Sequence, residues 1–271
     1  MRGTFQITLV KVFVSLVLLM AGAIDAPGSV PIDIRYGVGR NRVAMKLWKD
    51  AEDQLKKGDV QGAQRNVDAA LRSDPALWPA LYTRAKVFIR QHKYELAVQD
   101  CSEALRQNPA FIEAALLRAS ANAHLGRYAD AMKEIDHVIS IHPRSDAYAR
   151  ALSDRALLRA ICPDPMFRNA QQAIKDATNA CKLVSWQDED MIDTLAVAYA
   201  AVGDFDSAVS YEEQALAIKG ISPEALKALQ WHLALFKQHR TSPSSQNNLR
   251  VVPCAALTKD AHHGGCPTLC C

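Results

Sequence analysis

The chain of 271 residues is poor in aromatic residues, in glycine and in net charge. Aromatic residues make up 7% of the sequence although hydrophobic residues make up 49%, so most of the apolar content is small or aliphatic. With 12 Gly and 12 Pro, this composition argues against a disordered chain and a β-sandwich, and it indicates a helical protein. A net charge of +3 is too weak for a basic surface that follows phosphates, so no nucleic-acid partner is expected.

The sequence also lacks the local motifs of common enzyme classes. It contains no Gly-rich loop ending in Gly-Lys-Ser or Gly-Lys-Thr, no His-Glu-x-x-His and no Gly-x-Ser-x-Gly. The densest group of carboxylates is Asp188, Glu189 and Asp190, where a helix is predicted to begin. Acidic residues there stabilise the positive end of the helix dipole. We therefore expect no enzymatic activity, no catalytic residue and no cofactor.

An apolar segment follows the first basic residues of the chain. It runs from Val12 to Ile24, and the Ala-Gly-Ala sequence at 21–23 provides the small residues that signal peptidase recognises. This pattern predicts a secretory signal peptide over residues 1–23. We therefore expect an exported protein, either periplasmic or secreted.

Retention of this segment is the alternative to cleavage. The apolar stretch is shorter than the roughly 20 residues that cross a bilayer. Residues 7–24 would form only a marginal anchor, so membrane contact is expected only if the segment is not cleaved. Residues 24–43 are rich in Pro, Gly and isolated charges without a helical period, which is typical of a linker.

The body of the chain repeats with a period of 34 residues. Each unit has the pattern of two amphipathic helices. Alanine lets the two helices approach closely, glycine permits the bend between them, and proline ends the second helix. His92 replaces the glycine in the second unit, and we expect a bend there without a positive φ. The recurring residues are Asp74-Pro75, Asn108-Pro109 and His142-Pro143; Ala63, Ala97 and Ala131; and Gly58, His92 and Gly126.

These units resemble tetratricopeptide repeats (TPRs). The resemblance implies an all-α fold, a right-handed α-solenoid of about five helix-turn-helix repeats with a C-terminal capping helix. A narrower likeness over 162–213 to the C-terminal repeat pair of bacterial TPR proteins favours a bacterial source. The repeats are assigned to 44–77, 78–111, 112–145, 146–188 and 189–222, the fourth being stretched at 161–165, and the capping helix is assigned to 222–240.

The resemblance further implies that the first helix of each repeat lines a groove that binds a peptide or protein segment. Two series of side chains fall on this surface at a spacing of 34, and two more lysines lie nearby. We expect a peptide with an acidic group to dock on repeats one to three, whereas the alternative is a charged face that only keeps the helices soluble. The first series is Trp48, Tyr82 and Leu116, the second is Lys56, Arg90 and His124, and the nearby lysines are Lys49 and Lys86.

Two details limit the choice of partner. Asp190 and Asp193 in repeat five predict an acidic C-terminal end of the groove. Trp48 and Glu52 stand where TPR proteins that hold the acidic C-terminus of heat-shock chaperones have Lys and Asn. That partner is therefore not predicted.

The seven cysteines fall into two groups. Cys101 is expected to be a buried apolar residue, whereas Cys162 and Cys181 form either a disulfide or two buried thiols. The tail over 241–271 has no helical period and is expected to be disordered. It carries weak candidates for zinc binding or disulfide formation, at spacings that match no familiar zinc site, so no metal is assigned. These residues are Cys254, His262, His263, Cys266, Cys270 and Cys271.

The sequence therefore predicts a non-enzymatic scaffold or adaptor that binds another protein. The alternative is a membrane-tethered assembly factor of an envelope complex, held at the bilayer by an uncleaved N-terminus.

N-terminal sequencing of the mature protein distinguishes the two hypotheses. Because the segment has the anatomy of a cleaved signal peptide, the mature chain is expected to begin near Ile24. A mature chain that retains Met1 would contradict the prediction and favour the tethered form.

Overall fold

The computed structural model describes residues 41–142 and 145–241. In these ranges the chain forms eleven α-helices and one short 3-10 helix, without a β-strand, which confirms the all-α prediction. None of these helices is long and apolar enough to cross a membrane. The segment 7–24 and the cysteine-containing tail lie outside the described residues. The α-helices are Arg42–Lys56 (α1), Val60–Ser73 (α2), Trp78–Arg90 (α3), Tyr94–Gln107 (α4), Ile112–His124 (α5), Tyr128–Ser140 (α6), Ser145–Ile161 (α7), Ala170–Leu183 (α8), Glu189–Ala201 (α9), Phe205–Leu216 (α10) and Pro223–Thr241 (α11).

From α2 onward, each helix packs on the next one along the chain, and several first helices also pack on the first helix of the following repeat. Contacts between neighbours in sequence are what define a helical repeat solenoid. The helix pairs from α3 and α4 to α9 and α10 are therefore present, and α2 contacts α1 through the hydrogen bond that Asn66 donates to Gln54.

Alanine residues fill the crossing of the two helices in each of the first three repeats. Ala85 of α3 and Ala97 of α4 have no exposed surface and belong to one apolar cluster with Cys101 and Leu117. A methyl group keeps the two backbones close, and a larger side chain there would overpack the contact. The corresponding buried residues are Ala51 and Ala63 in the first repeat and Ala119 and Ala131 in the third.

Arginines join neighbouring repeats on the side of the second helices. Arg84 of α3 donates from Nε and Nη2 to the Asp100 carboxylate of α4, at 2.7 and 2.8 Å, and from Nη1 to Asp68 of α2, at 3.4 Å. Arg118 makes the same connection one repeat later, to Glu134 of α6 and to the Ser102 hydroxyl of α4. Each guanidinium therefore ties its own repeat to the preceding one.

The fourth repeat departs from the 34-residue pattern. Its first helix, α7, has 17 residues, and a 3-10 helix at Pro165–Phe167 separates it from α8. Asn169 caps α8 by accepting a hydrogen bond from the Gln172 amide at 3.0 Å. The arginine link persists here, because Arg155 donates to Asp176 of α8 and to Asp136 of α6.

The bend in the second repeat corrects the prediction for His92. Its φ is +58°, similar to +74° at Gly126 in the next repeat. The amides of His92 and Lys93 donate to the carbonyls of Ile89 and Phe88 at 3.0 and 2.9 Å. This closure of a helix C-terminus requires a left-handed residue, so the backbone of His92 adopts the conformation that glycine would supply.

The last helix, α11, covers the fifth repeat. The Ser222 hydroxyl accepts a hydrogen bond from the Ala225 amide at 3.1 Å and caps the helix, and the side chains of Leu229 and Phe236 are buried. The apolar residues Trp231, Leu235 and Phe236 are predicted from the sequence to pack on the last repeat; Phe236 is buried, whereas Trp231 is 43% exposed. The reason is helical geometry, because a residue two positions after Leu229 points to the opposite face.

The left-handed bend gives a reciprocal test of backbone strain. His92→Gly is expected to raise the free energy of unfolding by up to about 1 kcal/mol, because glycine adopts positive φ without a steric penalty. Gly126→Ala is expected to lower it by about 1 kcal/mol, and a Cβ at Gly126 meets no atom within 4 Å, so the loss is a backbone effect alone. Urea unfolding of the full chain measures both.

A control is needed because the His92 ring nitrogen Nδ1 lies 2.9 Å from the Tyr94 hydroxyl. Tyr94→Phe removes that contact without changing the bend. A His92→Gly variant that is less stable than Tyr94→Phe would show that the bend carries no strain.

Candidate functional site

Side chains of α1 and α3 form a partly exposed polar and aromatic surface, here called the α1–α3 face: Trp48, Glu52, Tyr82 and Lys86. The indole Nε1 of Trp48 donates to the Thr83 hydroxyl at 2.9 Å. That hydroxyl also lies within hydrogen-bonding distance of the Glu52 carboxylate. The first helices of repeats one and two are therefore connected through buried Thr83.

Lys86 is the basic group of this face. Its Nζ lies 3.6 Å from Glu52 Oε2 and 5.5 Å from the centroid of the Tyr82 ring. The aromatic contacts continue to Phe111, whose ring centroid is 4.9 Å from that of Tyr82. The structure thus combines an ammonium group with exposed aromatic area, and Glu52 balances the charge of Lys86.

The other predicted groove residues have different environments. Lys49 and Lys56 are exposed on α1, and Lys56 Nζ lies 3.7 Å from an oxygen of Asp53. Leu116 is only 4% exposed and belongs to the core. The first series is therefore not one exposed row, because Trp48 and Tyr82 are partly exposed whereas Leu116 is buried.

Arg90 and His124 make contacts between repeats. Arg90 Nη1 donates to the Leu55 carbonyl at 2.8 Å, near the C-terminus of α1. The His124 ring stacks on Tyr94 with centroids 4.4 Å apart, and burial lowers the pKa of His124 to about 4. His124 is therefore neutral at pH 7 and adds no positive charge to the surface.

The two acids predicted for the C-terminal end of the surface differ in exposure, and Asp190 is partly exposed. Asp193 is 4% exposed and does not contribute to an exposed face. Asp154 of α7, two repeats after Lys86 at the same position, is a half-buried acid that the sequence did not single out. Burial raises its pKa to about 7, although Arg150 opposes the shift.

A buried polar cluster connects the last three helices: Asp193 of α9, Glu212 of α10 and His232 of α11 (the α9–α11 cluster). His232 Nδ1 lies 2.6 Å from Asp193 Oδ1 and 4.0 Å from Glu212 Oε1. One ligand atom of each residue lies within 4.8 Å of the others. Glu212 has no exposed surface, and neither of its oxygens has a hydrogen-bond partner.

Sequence reasoning missed this cluster, although one signal was present. Glu212 follows Ala208 and Val209 and precedes Ala215 at helical spacing, on the face of α10 that is otherwise apolar and buried. A glutamate in a buried stripe is rare unless it is paired or binds a cation.

Burial determines the protonation of the cluster. Burial and the neighbouring Asp193 charge raise the pKa of Glu212 far above its usual value, so Glu212 is neutral at pH 7. Burial alone would lower the pKa of His232. The charge of Asp193 and the hydrogen bond to Asp193 raise it by more, so the net shift of the pKa is upward. Glu212 therefore keeps its proton at neutral pH, and contact with Asp193 favours the charged form of His232.

The described cysteines are buried free thiols, including the considered pair Cys162 and Cys181. The Cys181 thiol lies 3.3 Å from the Met191 carbonyl oxygen and donates to it, and burial raises the pKa of Cys181 to about 12. The structure thus corresponds to the alternative with two buried thiols. Cys254, His262, His263, Cys266, Cys270 and Cys271 lie outside the described residues.

Comparison with known families agrees with the repeat architecture. Two models of the tetratricopeptide repeat match the chain, one over residues 49–109 and the other over residues 88–155. Residues 49–155 therefore belong to the tetratricopeptide repeat family. Because these matches end in α7, repeats four and five are assigned from the helical pairs of the structure.

Curated relatives match this chain over part of their length. The tetratricopeptide repeat and J domain-containing co-chaperone DNJ1 of Cryptococcus neoformans is 29% identical over 110 residues, which cover 41% of this chain and 21% of that protein. Protein unc-45 homolog B of Mus musculus is 29% identical over 112 residues, covering 40% of this chain and 12% of that protein. The chain thus spans about a fifth or less of these relatives.

Solved structures show the same fold at low sequence identity. A thermophilic TPR protein of Thermus thermophilus superposes with a TM-score of 0.61 at 17% identity, over 72% of this chain and 99% of that chain. The pilF protein of Pseudomonas aeruginosa gives a TM-score of 0.55 at 17% identity, over 74% of this chain and 87% of that chain. These likenesses establish the architecture alone.

The α9–α11 cluster predicts how stability depends on pH in buffer containing a chelator. Glu212 and His232 have raised pKa values in the folded state, so the folded protein keeps protons that the unfolded chain releases, and stability falls as the pH rises. Between pH 7 and 8, Glu212→Gln should make this slope shallower by up to about 1.4 kcal/mol per pH unit. Urea unfolding at several pH values measures the slope.

Glu213→Gln is the matched control, because Glu213 is adjacent, exposed and paired with Lys237 at 2.9 Å. It should leave the slope unchanged. Equal slopes for wild type and Glu212→Gln would mean that Glu212 is ionised in the folded protein.

Proposed function

We propose that this protein is a non-enzymatic scaffold whose α1–α3 face binds an acidic segment of a partner protein. TPR repeats form protein–protein interaction scaffolds, so binding of a protein follows from the family. The acidic character of the segment and the place where it binds are the specific parts of this proposal.

The observation that carries the proposal is the position of Lys86. Its side chain is 12% exposed and reaches over the Tyr82 ring, and the partly exposed indole of Trp48 is hydrogen-bonded to Thr83 on the same helix. Aromatic anchors beside a partly desolvated charge are the combination from which binding hot spots are built. An acidic segment with an apolar residue would match both parts.

Glu52 competes with an acidic ligand for the ammonium group of Lys86. Its carboxylate occupies the position near Lys86 Nζ that an acidic ligand group would take. A ligand must therefore displace Glu52 or share the ammonium group with it, which weakens binding of a single carboxylate. The relative DNJ1 is a co-chaperone, but with Trp48 and Glu52 at the clamp positions we do not extend a chaperone partner to this chain.

We further propose that the protein acts outside the cytoplasm, in the periplasm or after secretion. The apolar segment from Val12 to Ile24 and the small residues after it support this location. The membrane-tethered assembly factor remains the alternative, and its anchor would be residues 7–24.

Charge reversal at Lys86 tests the binding surface. The probe is a panel of short fluorescent peptides that share one apolar sequence and differ in their number of Asp and Glu residues. Lys86→Glu should weaken the acidic peptides about tenfold to hundredfold and leave the neutral one unchanged. Glu52→Gln should tighten the acidic peptides about threefold to tenfold, because it frees the ammonium group. Fluorescence anisotropy measures both affinities.

Lys133→Glu makes the same charge change on the exposed side of α6 and serves as the control. It should bind as wild type does. If Lys133→Glu and Lys86→Glu weaken the acidic peptides equally, binding depends on net charge alone and the α1–α3 face is not the site.

A further inference from the structure

The geometry of the α9–α11 cluster points to a binding site for one divalent transition-metal ion, with Asp193, Glu212 and His232 as ligands. This site is separate from the α1–α3 face. Its three ligands come from three different helices, so a bound ion would fasten the capping helix α11 to both helices of the fifth repeat.

The donor set suits zinc and the ions that replace it. One imidazole nitrogen and two carboxylate oxygens are ligand types that Zn²⁺ and Co²⁺ accept. Donor atoms around a tetrahedral zinc ion lie roughly 3.3 Å apart, given bond lengths of about 2.0–2.1 Å. The distances from His232 Nδ1 to Asp193 Oδ1 and to Glu212 Oε1, 2.6 and 4.0 Å, lie on either side of that value. Shifts of under about 1 Å would complete the arrangement.

The independent sign of a ligand is Glu212. Its side chain is completely buried and points into the cluster, and neither oxygen accepts a hydrogen bond from the described residues. Leaving a buried acid in this state costs free energy, and an apolar side chain on α10 would avoid that cost. A cation that binds the carboxylate removes the penalty.

The charges of the ligands also suit such an ion. Two carboxylates and a neutral imidazole balance an ion with two positive charges. Because all three ligands bind the ion in their deprotonated forms, the affinity rises with pH.

The test uses Co²⁺, whose visible spectrum reports its ligands. Because the three residues of the cluster are buried from solvent, the full chain is refolded from urea with one equivalent of Co²⁺. Wild type should show the visible bands of a Co²⁺ site with nitrogen and oxygen ligands, and the apparent affinity should rise with pH from pH 6 to 7. One equivalent of Zn²⁺ should displace the Co²⁺ and remove the bands.

Glu212→Gln keeps the size of the side chain and removes the anionic ligand, so it should weaken Co²⁺ at least about tenfold. Its circular dichroism and urea midpoint without metal should match or exceed those of wild type at pH 8, which separates loss of the ligand from loss of the fold. Glu213→Gln should bind Co²⁺ as wild type does.

Two results would overturn the assignment. One is equal Co²⁺ affinity of Glu212→Gln and wild type. The other is a wild-type spectrum dominated by thiolate-to-metal charge transfer, which would assign the ion to cysteines, such as Cys254, Cys266, Cys270 and Cys271, instead of the cluster. A refolded wild type without any Co²⁺ bands would equally show that the cluster is a structural hydrogen-bonded group and not a metal site.

Discussion

Close contact between paired helices at alanine sets the geometry of every regular repeat in this protein. Ala85 and Ala97 are completely buried, and each is small enough for the two backbones to approach. Because α3 and α4 pack closely, and the same packing recurs in the next repeat, residues 34 positions apart in the sequence occupy equivalent places in the structure. The side chains that carry charge, hydrogen bonds or aromatic area are then brought together by repetition and not by local motifs.

The arginine links are one consequence of this spacing. Arg84 and Arg118 each bridge the second helices of two neighbouring repeats, while Lys86 and Glu52 make a pair on the α1–α3 face. An acidic ligand of Lys86 has to compete with Glu52, which weakens the binding of a single carboxylate. The same architecture that fixes the repeats therefore places an ammonium group, a carboxylate and an aromatic ring together on neighbouring first helices.

The end of the solenoid is built differently. Within residues 145–241 no further repeat follows the fifth, and α11 covers that repeat with apolar residues such as Leu229 and Phe236 and with the Asp193–His232 contact. Buried polar groups stabilise a fold less than apolar packing of similar volume does. The presence of Glu212 beside this pair is therefore explained better by binding of a cation than by stability of the fold.

The sequence by itself determined the repeats, because a fixed spacing of alanine, proline and bend residues leaves little choice of architecture. It also predicted that Trp48, Tyr82 and Lys86 lie on one surface, because the same position of each repeat lies on the same face of its first helix. It failed where the answer depends on contacts between distant residues. Only the tertiary structure decided that Asp193 is buried against His232, 39 residues away, and that His92 adopts a left-handed bend. Periodicity indicates which face of a helix a residue occupies. The charge state and the contact partners of that residue depend on the side chains of the neighbouring helix.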